Sequence, residues 1–152
     1  MSHCSSGRQA GMINLEIYKL RKNYKIPKKK LEEVLKKANK LLKIGNLEIS
    51  LAIVDDKTIR QLNKKYRFHD KVTDVLSFEL SPLIFDTNST KRMGEIVISY
   101  PEAKRQAKKF KESLQQVILR LFVHGLLHIV GYRHAKKGER EKMAKMELKI
   151  FK

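Results

Sequence analysis

The stretch that decides the fold is Ser113–His134, SLQQVILRLFVHGLLHIVGYRH. Read at helical spacing it is apolar on most sides: Leu114, Val117, Ile118, Leu121, Phe122, Val123 and Leu127. A helix without a solvated face is a buried one, so this segment predicts the central helix of the domain. Ser113-Leu114-Gln115-Gln116 reads as a capping box that opens it. Gly131 offers the place to stop, because glycine takes the left-handed conformation at low cost.

Into this apolar helix the sequence sets His124 and His128, with His134 following after Gly131. A four-residue spacing projects two imidazoles from one helix face, one turn apart. A chain turning back at Gly131 brings His134 over the same face. One histidine on such a face is an ordinary core residue, and two at this spacing can coincide by chance. Three of the chain's 5 histidines in one stretch, with a glycine placed before the third, predict a metal site. Three neutral imidazoles with an open fourth position suit catalytic zinc. Imidazole also suits nickel and copper, so spacing alone leaves the metal open.

Outward from this helix the remaining segments fall into place. Ile13 to Leu20 alternates as a first strand, and Leu47 to Val54 reads as a second. Between them Leu31, Val34, Leu35, Ala38, Leu41 and Leu42 lie at helical spacing, with Gly45-Asn46 as the stop. The lysine-rich opposite face of that helix reads as a solvated surface. Asp55 caps a short helix carrying Ile59, Leu62 and Tyr66. Val75 to Leu80 is a third strand, Pro82 to Lys91 a polar loop, and Gly94 to Ser99 a fourth strand. Pro101 fits the first turn of a helix reaching about Phe110. A last helix from about Glu139 sets Met143, Met146 and Ile150 on one packing face. The sum is an α+β fold: a mixed four-stranded sheet packed with about five helices, the buried central one carrying two ligand histidines.

At 152 residues and 41% hydrophobic content the chain predicts one folded domain with a sizeable core. Residues 12–152 form that domain. Residues 1–11 read as a flexible N-terminal extension, with Met12 a second plausible start. The segment Met1–Arg8 has no apolar core and does not read as a signal peptide. Cys4 is the single cysteine, so no intramolecular disulfide forms, which fits a reducing cytoplasm. Val117 to Tyr132 is interrupted by Arg120, His124 and His128, too short and too polar to span a bilayer.

The 34 Lys and Arg against 16 Asp and Glu leave a net charge of +18. A thermophilic origin explains abundant charge but not so one-sided an excess. The excess favours a polyanionic partner, nucleic acid above an anionic membrane surface. The spacing His-x-x-x-His-x-x-Gly-x-x-His is shared with metzincin peptidases, which carry their general base, Glu, directly after the first histidine. Here that position is Gly125, so a peptidase of the usual kind lacks its base. Phosphodiester chemistry needs positive charge on the phosphate oxygens, and arginine supplies it bidentately. Arg67 in Leu62-Asn63-Lys64-Lys65-Tyr66-Arg67 is the candidate, ahead of Thr73-Asp74-Val75-Leu76-Ser77-Phe78. In so basic a chain an arginine is commonly a surface residue, and Asp74 and Ser77 suit strand-entry hydrogen bonding.

These elements carry a resemblance to the YbeY family of bacterial endoribonucleases, or rRNA maturation factors. The family signature resembles His-Gly-x-Leu-His-x-x-Gly-Tyr-Asp-His, and His124 to His134 matches all but one fixed position. Leu62 to Arg67 is similar to its Leu-Asn-x-x-Tyr-Arg element, Thr73 to Phe78 to Thr-Asp/Asn-Val-Leu-Ser-Phe, and Gly94-Glu95-Ile96 to Gly-Asp/Glu-Ile. The resemblance runs from about Met12 to the C-terminus. It implies a metal-dependent, single-strand-specific endoribonuclease of the cytoplasm. The implied role is ribosomal RNA processing, at the 3′ end of the small-subunit RNA, and ribosome quality control. Its partners would be single-stranded RNA, ribosomal RNA and the small ribosomal subunit, with no small-molecule cofactor and no membrane. Carried across, His124, His128 and His134 would hold one Zn2+ per chain, or Ni2+ or another divalent metal. Arg67 would contact RNA phosphate or assist catalysis.

Two positions depart from the family pattern. Arg133 stands where the family usually has Asp, and is expected to point outward, towards phosphate. Val72 replaces a common Pro, a matter of loop stiffness. Two other functions fit parts of the sequence. One is a non-catalytic ribosome- or RNA-binding factor with a structural metal. The other is a metal-dependent hydrolase of another substrate.

Overall fold

A computed structural model describes residues 11–80 and 92–152. Four strands, β1 (Ile13–Lys19), β2 (Leu47–Val54), β3 (Val75–Leu80) and β4 (Arg92–Ser99), form one sheet in the order β1-β2-β4-β3. β1 and β4 flank β2 in parallel, and β3 pairs with β4 antiparallel, so the sheet is mixed. Five helices accompany it among the described residues: α1 (Lys28–Leu42), α2 (Asp56–Arg67), α3 (Tyr100–Phe110), α4 (Leu114–Ile129) and α5 (Lys137–Phe151). None is long and apolar enough to cross a membrane.

The alternation of β2 and β4 divides their side chains between two cores. Leu47, Ile49, Leu51 and Ile53 of β2, with Ile96 and Ile98 of β4, face α1, α3, α4 and α5. Val54 and Val97, with Leu76 of β3, face Ile59 of α2 on the opposite side. α4 lies inside the larger core, with Val117, Ile118, Phe122, Val123, Leu126 and Leu127 fully buried, as its lack of a solvated face predicts. Met143 and Ile150 of α5 are buried in the same core with Met146 packed against it, so the methionine face is packing.

Helix ends follow local chemistry. The Asp55 carboxylate accepts from the Thr58 N–H at 2.9 Å, and hydrogen bonding from the Thr58 side chain, then from this N–H, draws its pKa below the ordinary carboxylate value. Ser113 accepts from the Gln116 N–H at 3.0 Å, the serine half of the expected box. α1 stops earlier than Gly45-Asn46 suggests, at Lys43, which itself takes the left-handed conformation with φ 53°. The buried Asn39 amide explains the stop. It donates to the Gly45 carbonyl at 2.7 Å and accepts from the Gly45 N–H at 3.0 Å, fastening the turn to the helix. β4 begins at Arg92, two residues before the expected start, and α5 at Lys137. The expected loop Pro82–Lys91 lies wholly outside the described residues, as does nearly all of the extension 1–11. Met12 is tied down, its N–H donating to the Asn46 side chain at 2.9 Å.

Candidate metal centre

α4 presents His124 and His128 from one face near its C-terminal end, and the chain then reverses as expected. Gly131 sits at φ 108°, a conformation open to glycine and strained for other residues. Its N–H donates to the His128 carbonyl at 3.1 Å, and the Tyr132 N–H to the Leu127 carbonyl at 2.9 Å. The reversal carries His134 back to its companions. One ligand nitrogen from each of His124, His128 and His134 lies within 4.8 Å of the others. The Nε2 atoms of His124 and His128 are 3.2 Å apart. Nitrogen ligands about 2.0–2.1 Å from a tetrahedral ion stand about 3.3 Å from one another, so this pair is spaced to share one. The donor set is three neutral nitrogens, which suits zinc, copper or nickel and not magnesium or calcium. The residues present therefore fit a borderline transition metal.

The surroundings prepare the rings for that task. His128 Nδ1 lies 3.0 Å from the Tyr132 carbonyl. A carbonyl only accepts, so Nδ1 carries the hydrogen and the Nε2 lone pair is left for the cluster. Burial, and then the neighbouring His124 ring, lower the His128 pKa below the ordinary imidazole value, which keeps the ring neutral. Glu147 of α5 stands behind His124, with Oε2 3.7 Å from Nδ1. His124 and His128 are half-buried and His134 is exposed, so the cluster opens to solvent on its His134 side.

Gly125 faces away from this cluster. A Cβ placed there would lie 3.1 Å from Ile96 Cγ2, inside the helix–sheet packing. The position that carries Glu in metzincins thus points into the core here, not towards the histidines.

Arg67, at the end of α2, reaches the edge strand β3. Its guanidinium donates to the Ser77 carbonyl and lies over the Phe78 ring, 5.0 Å from the centroid. A cleft of about 450 Å³ runs from this edge to the C-terminal end of α4, lined by Arg67, Ser77, Glu79, His128 and Arg133 among others. Of the three histidines, His128 is the one that reaches this cleft. Asp74 and Ser77 take strand-entry roles: the Asp74 carboxylate accepts from Gln106 at 2.8 Å, and Ser77 contributes its backbone carbonyl. Val72 is exposed, consistent with an effect confined to its loop. Arg133 is exposed as expected, but it is not detached from the site. Its Nη1 donates to the His128 and Tyr132 carbonyls at 3.2 and 3.0 Å, and it borders the cleft.

Glu147 was not among the residues expected from sequence. A signal for it exists: it lies four residues after Met143 and three before Ile150, on the face of α5 that packs inward. A carboxylate on a packing face needs a partner, and here the partner is a ring of the cluster.

Comparison with known proteins places these features in a family. A family model described as endoribonuclease YbeY matches residues 16–152. The chain is 44% identical over 129 residues to the endoribonuclease YbeY of Aquifex aeolicus, covering 85% of this chain and 83% of that one. It is 39% identical over 141 residues to the endoribonuclease YbeY of a Sulfurihydrogenibium species, covering 92% and 89%. The solution structure of a Thermotoga maritima protein superposes with a TM-score of 0.55 at 27% identity, covering 92% of this chain and 89% of that one.

Proposed function

The chain belongs to the endoribonuclease YbeY family, and we propose that it hydrolyses single-stranded RNA with one zinc ion held by His124, His128 and His134. The observation that carries this reading is the meeting of three imidazoles beside a cleft whose far wall bears an arginine. Zinc at such a site supplies Lewis acidity and lowers the pKa of water to about 7. The protein's own residues do the rest. Arg67 is pre-positioned by the Ser77 carbonyl and the Phe78 ring on the wall of the cleft, and its guanidinium keeps N–H donors beyond the Ser77 bond to hold a phosphodiester. The Tyr132 carbonyl fixes which His128 nitrogen is free. Glu147, 3.7 Å from His124 Nδ1, is placed to orient that ring from behind with a small side-chain adjustment.

The biological setting we propose is cytoplasmic maturation of ribosomal RNA at the 3′ end of the small-subunit RNA, on or near the small ribosomal subunit, with a role in ribosome quality control. A charge of +18 supports a polyanionic substrate, and Gly125 facing the sheet speaks against a peptidase.

The test of the reaction is cleavage of matched single- and double-stranded RNA by the zinc-loaded protein and by Arg67→Ala. We expect selective cleavage of the single strand, and a loss of about 10²-fold in kcat/KM in the variant, the scale of removing one charge-stabilising donor. Equal, weak cleavage by both proteins would reduce this reading to a non-catalytic RNA-binding factor. For the metal, Glu147→Ala is expected to raise the zinc dissociation constant by about 10-fold, as loss of a residue behind a ligand histidine does. Competition with a chromophoric chelator measures it, and parental affinity would remove Glu147 from the site.

A further inference from the structure

We propose that Arg133 is a second phosphate-binding residue of this site, gripping the RNA backbone from the α4 side of the cleft while Arg67 holds it from β3. The proposal rests on the reading of single-stranded RNA as the substrate.

Both guanidiniums line the same cleft of about 450 Å³. Both are tethered by backbone carbonyls: Arg67 by Ser77, Arg133 by His128 and Tyr132. A carbonyl orients a guanidinium without cancelling its charge. Among the described residues no carboxylate pairs with either arginine, and the acid that shares the cleft, Glu79, is engaged by Arg92 at 3.1 Å. The described bonds of each arginine use one terminal nitrogen, and a guanidinium has five N–H donors in a planar fork. Each therefore keeps donors for a bidentate anion.

The location sharpens the inference. A fixed positive charge beside a cluster suited to a cation is unfavourable by itself. It becomes favourable when an anion lies between the two. A cation at the C-terminal end of α4 also offsets the helix dipole. That role, taken alone, would show in stability and not in the binding of RNA.

Salt dependence separates the two roles, because each phosphate contact on a single strand contributes about 0.7 to the slope of log K against log salt. We would titrate a labelled oligouridine with the zinc-loaded protein over a KCl series, by anisotropy read on ice directly after mixing, before cleavage, with gels confirming that the RNA is still uncut at that time. Arg133→Gln is expected to flatten the slope by about 0.7, Arg67→Gln by the same amount, and the double variant by about 1.4, twice the single-contact value. Arg133→Lys retains the parental slope, since the charge remains. The zinc stoichiometry of Arg133→Gln should match the parent, and a lower thermal midpoint with an unchanged slope would be the mark of the helix-terminus role alone. An unchanged slope in Arg133→Gln overturns the proposal and leaves the RNA reading standing. A parent with no salt-dependent binding of the oligonucleotide overturns both.

Discussion

His128→Ala is expected to lose stoichiometric zinc and, with it, cleavage of single-stranded RNA down to the level of a no-enzyme control. His128 is the member of the cluster that joins the other rings to the cleft. Its Nε2 is 3.2 Å from that of His124, its Nδ1 is held by the Tyr132 carbonyl, and its ring reaches the cleft that Arg67 borders. Loss of a residue behind a ligand costs about 10–100-fold in affinity or activity, so loss of the ligand itself should exceed that range. The same variant separates a catalytic from a purely structural metal. Metal that binds the native state raises the thermal midpoint by mass action. A chelator should therefore lower the midpoint of the parent and leave that of His128→Ala unmoved. A metal with a structural role alone predicts something different: stability and RNA binding fall together, and the parent does not cleave. Parental zinc content and parental cleavage in purified His128→Ala would show that the three rings do not share an ion.

Much of this arrangement is legible in the chain because it is local. α4 has no polar face, so its burial follows from its own residues. The spacing of His124 and His128 and the glycine before His134 fix the cluster within one helix and one turn. What the sequence hides is long-range. Nothing within β1 to β4 says that β4 inserts between β2 and β3, because pairing is settled by packing of distant segments. Glu147 meets His124 from another helix, and Asn39 clamps Gly45 through its side chain and not through a glycine stop. Arg133 was readable as a departure from the family pattern. Its tethers, the carbonyls that close α4, exist only once the turn has formed.

Position 125 gives the sharpest mechanical consequence of that packing. Replacing Gly125 by Glu would complete the peptidase-like arrangement His-Glu-x-x-His in the sequence, yet it is expected to unfold the protein and not to create a peptidase. A Cβ at 125 already lies 3.1 Å from Ile96 Cγ2 and 3.3 Å from its Cγ1, and Ile96 is fully buried. The remaining atoms of Glu must then enter a close-packed seam between α4 and β4. Overpacking of that kind costs about 1–3 kcal/mol. An unpaired carboxylate taken into the core costs several kcal/mol more, whether it stays ionised or is forced to accept a proton. The better helix propensity of Glu over glycine returns less than about 1 kcal/mol. The net loss is about 5 kcal/mol, comparable with the whole stability of an ordinary domain. Gly125→Ala isolates the steric part: helix propensity favours it, the Ile96 contact opposes it, and the two should cancel to within about 1 kcal/mol. Urea unfolding of the three proteins reads these differences directly. A folded Gly125→Glu with near-parental stability and chelator-sensitive peptide cleavage would mean that position 125 faces the histidines. The sheet-facing geometry that separates this site from the peptidases would then be wrong.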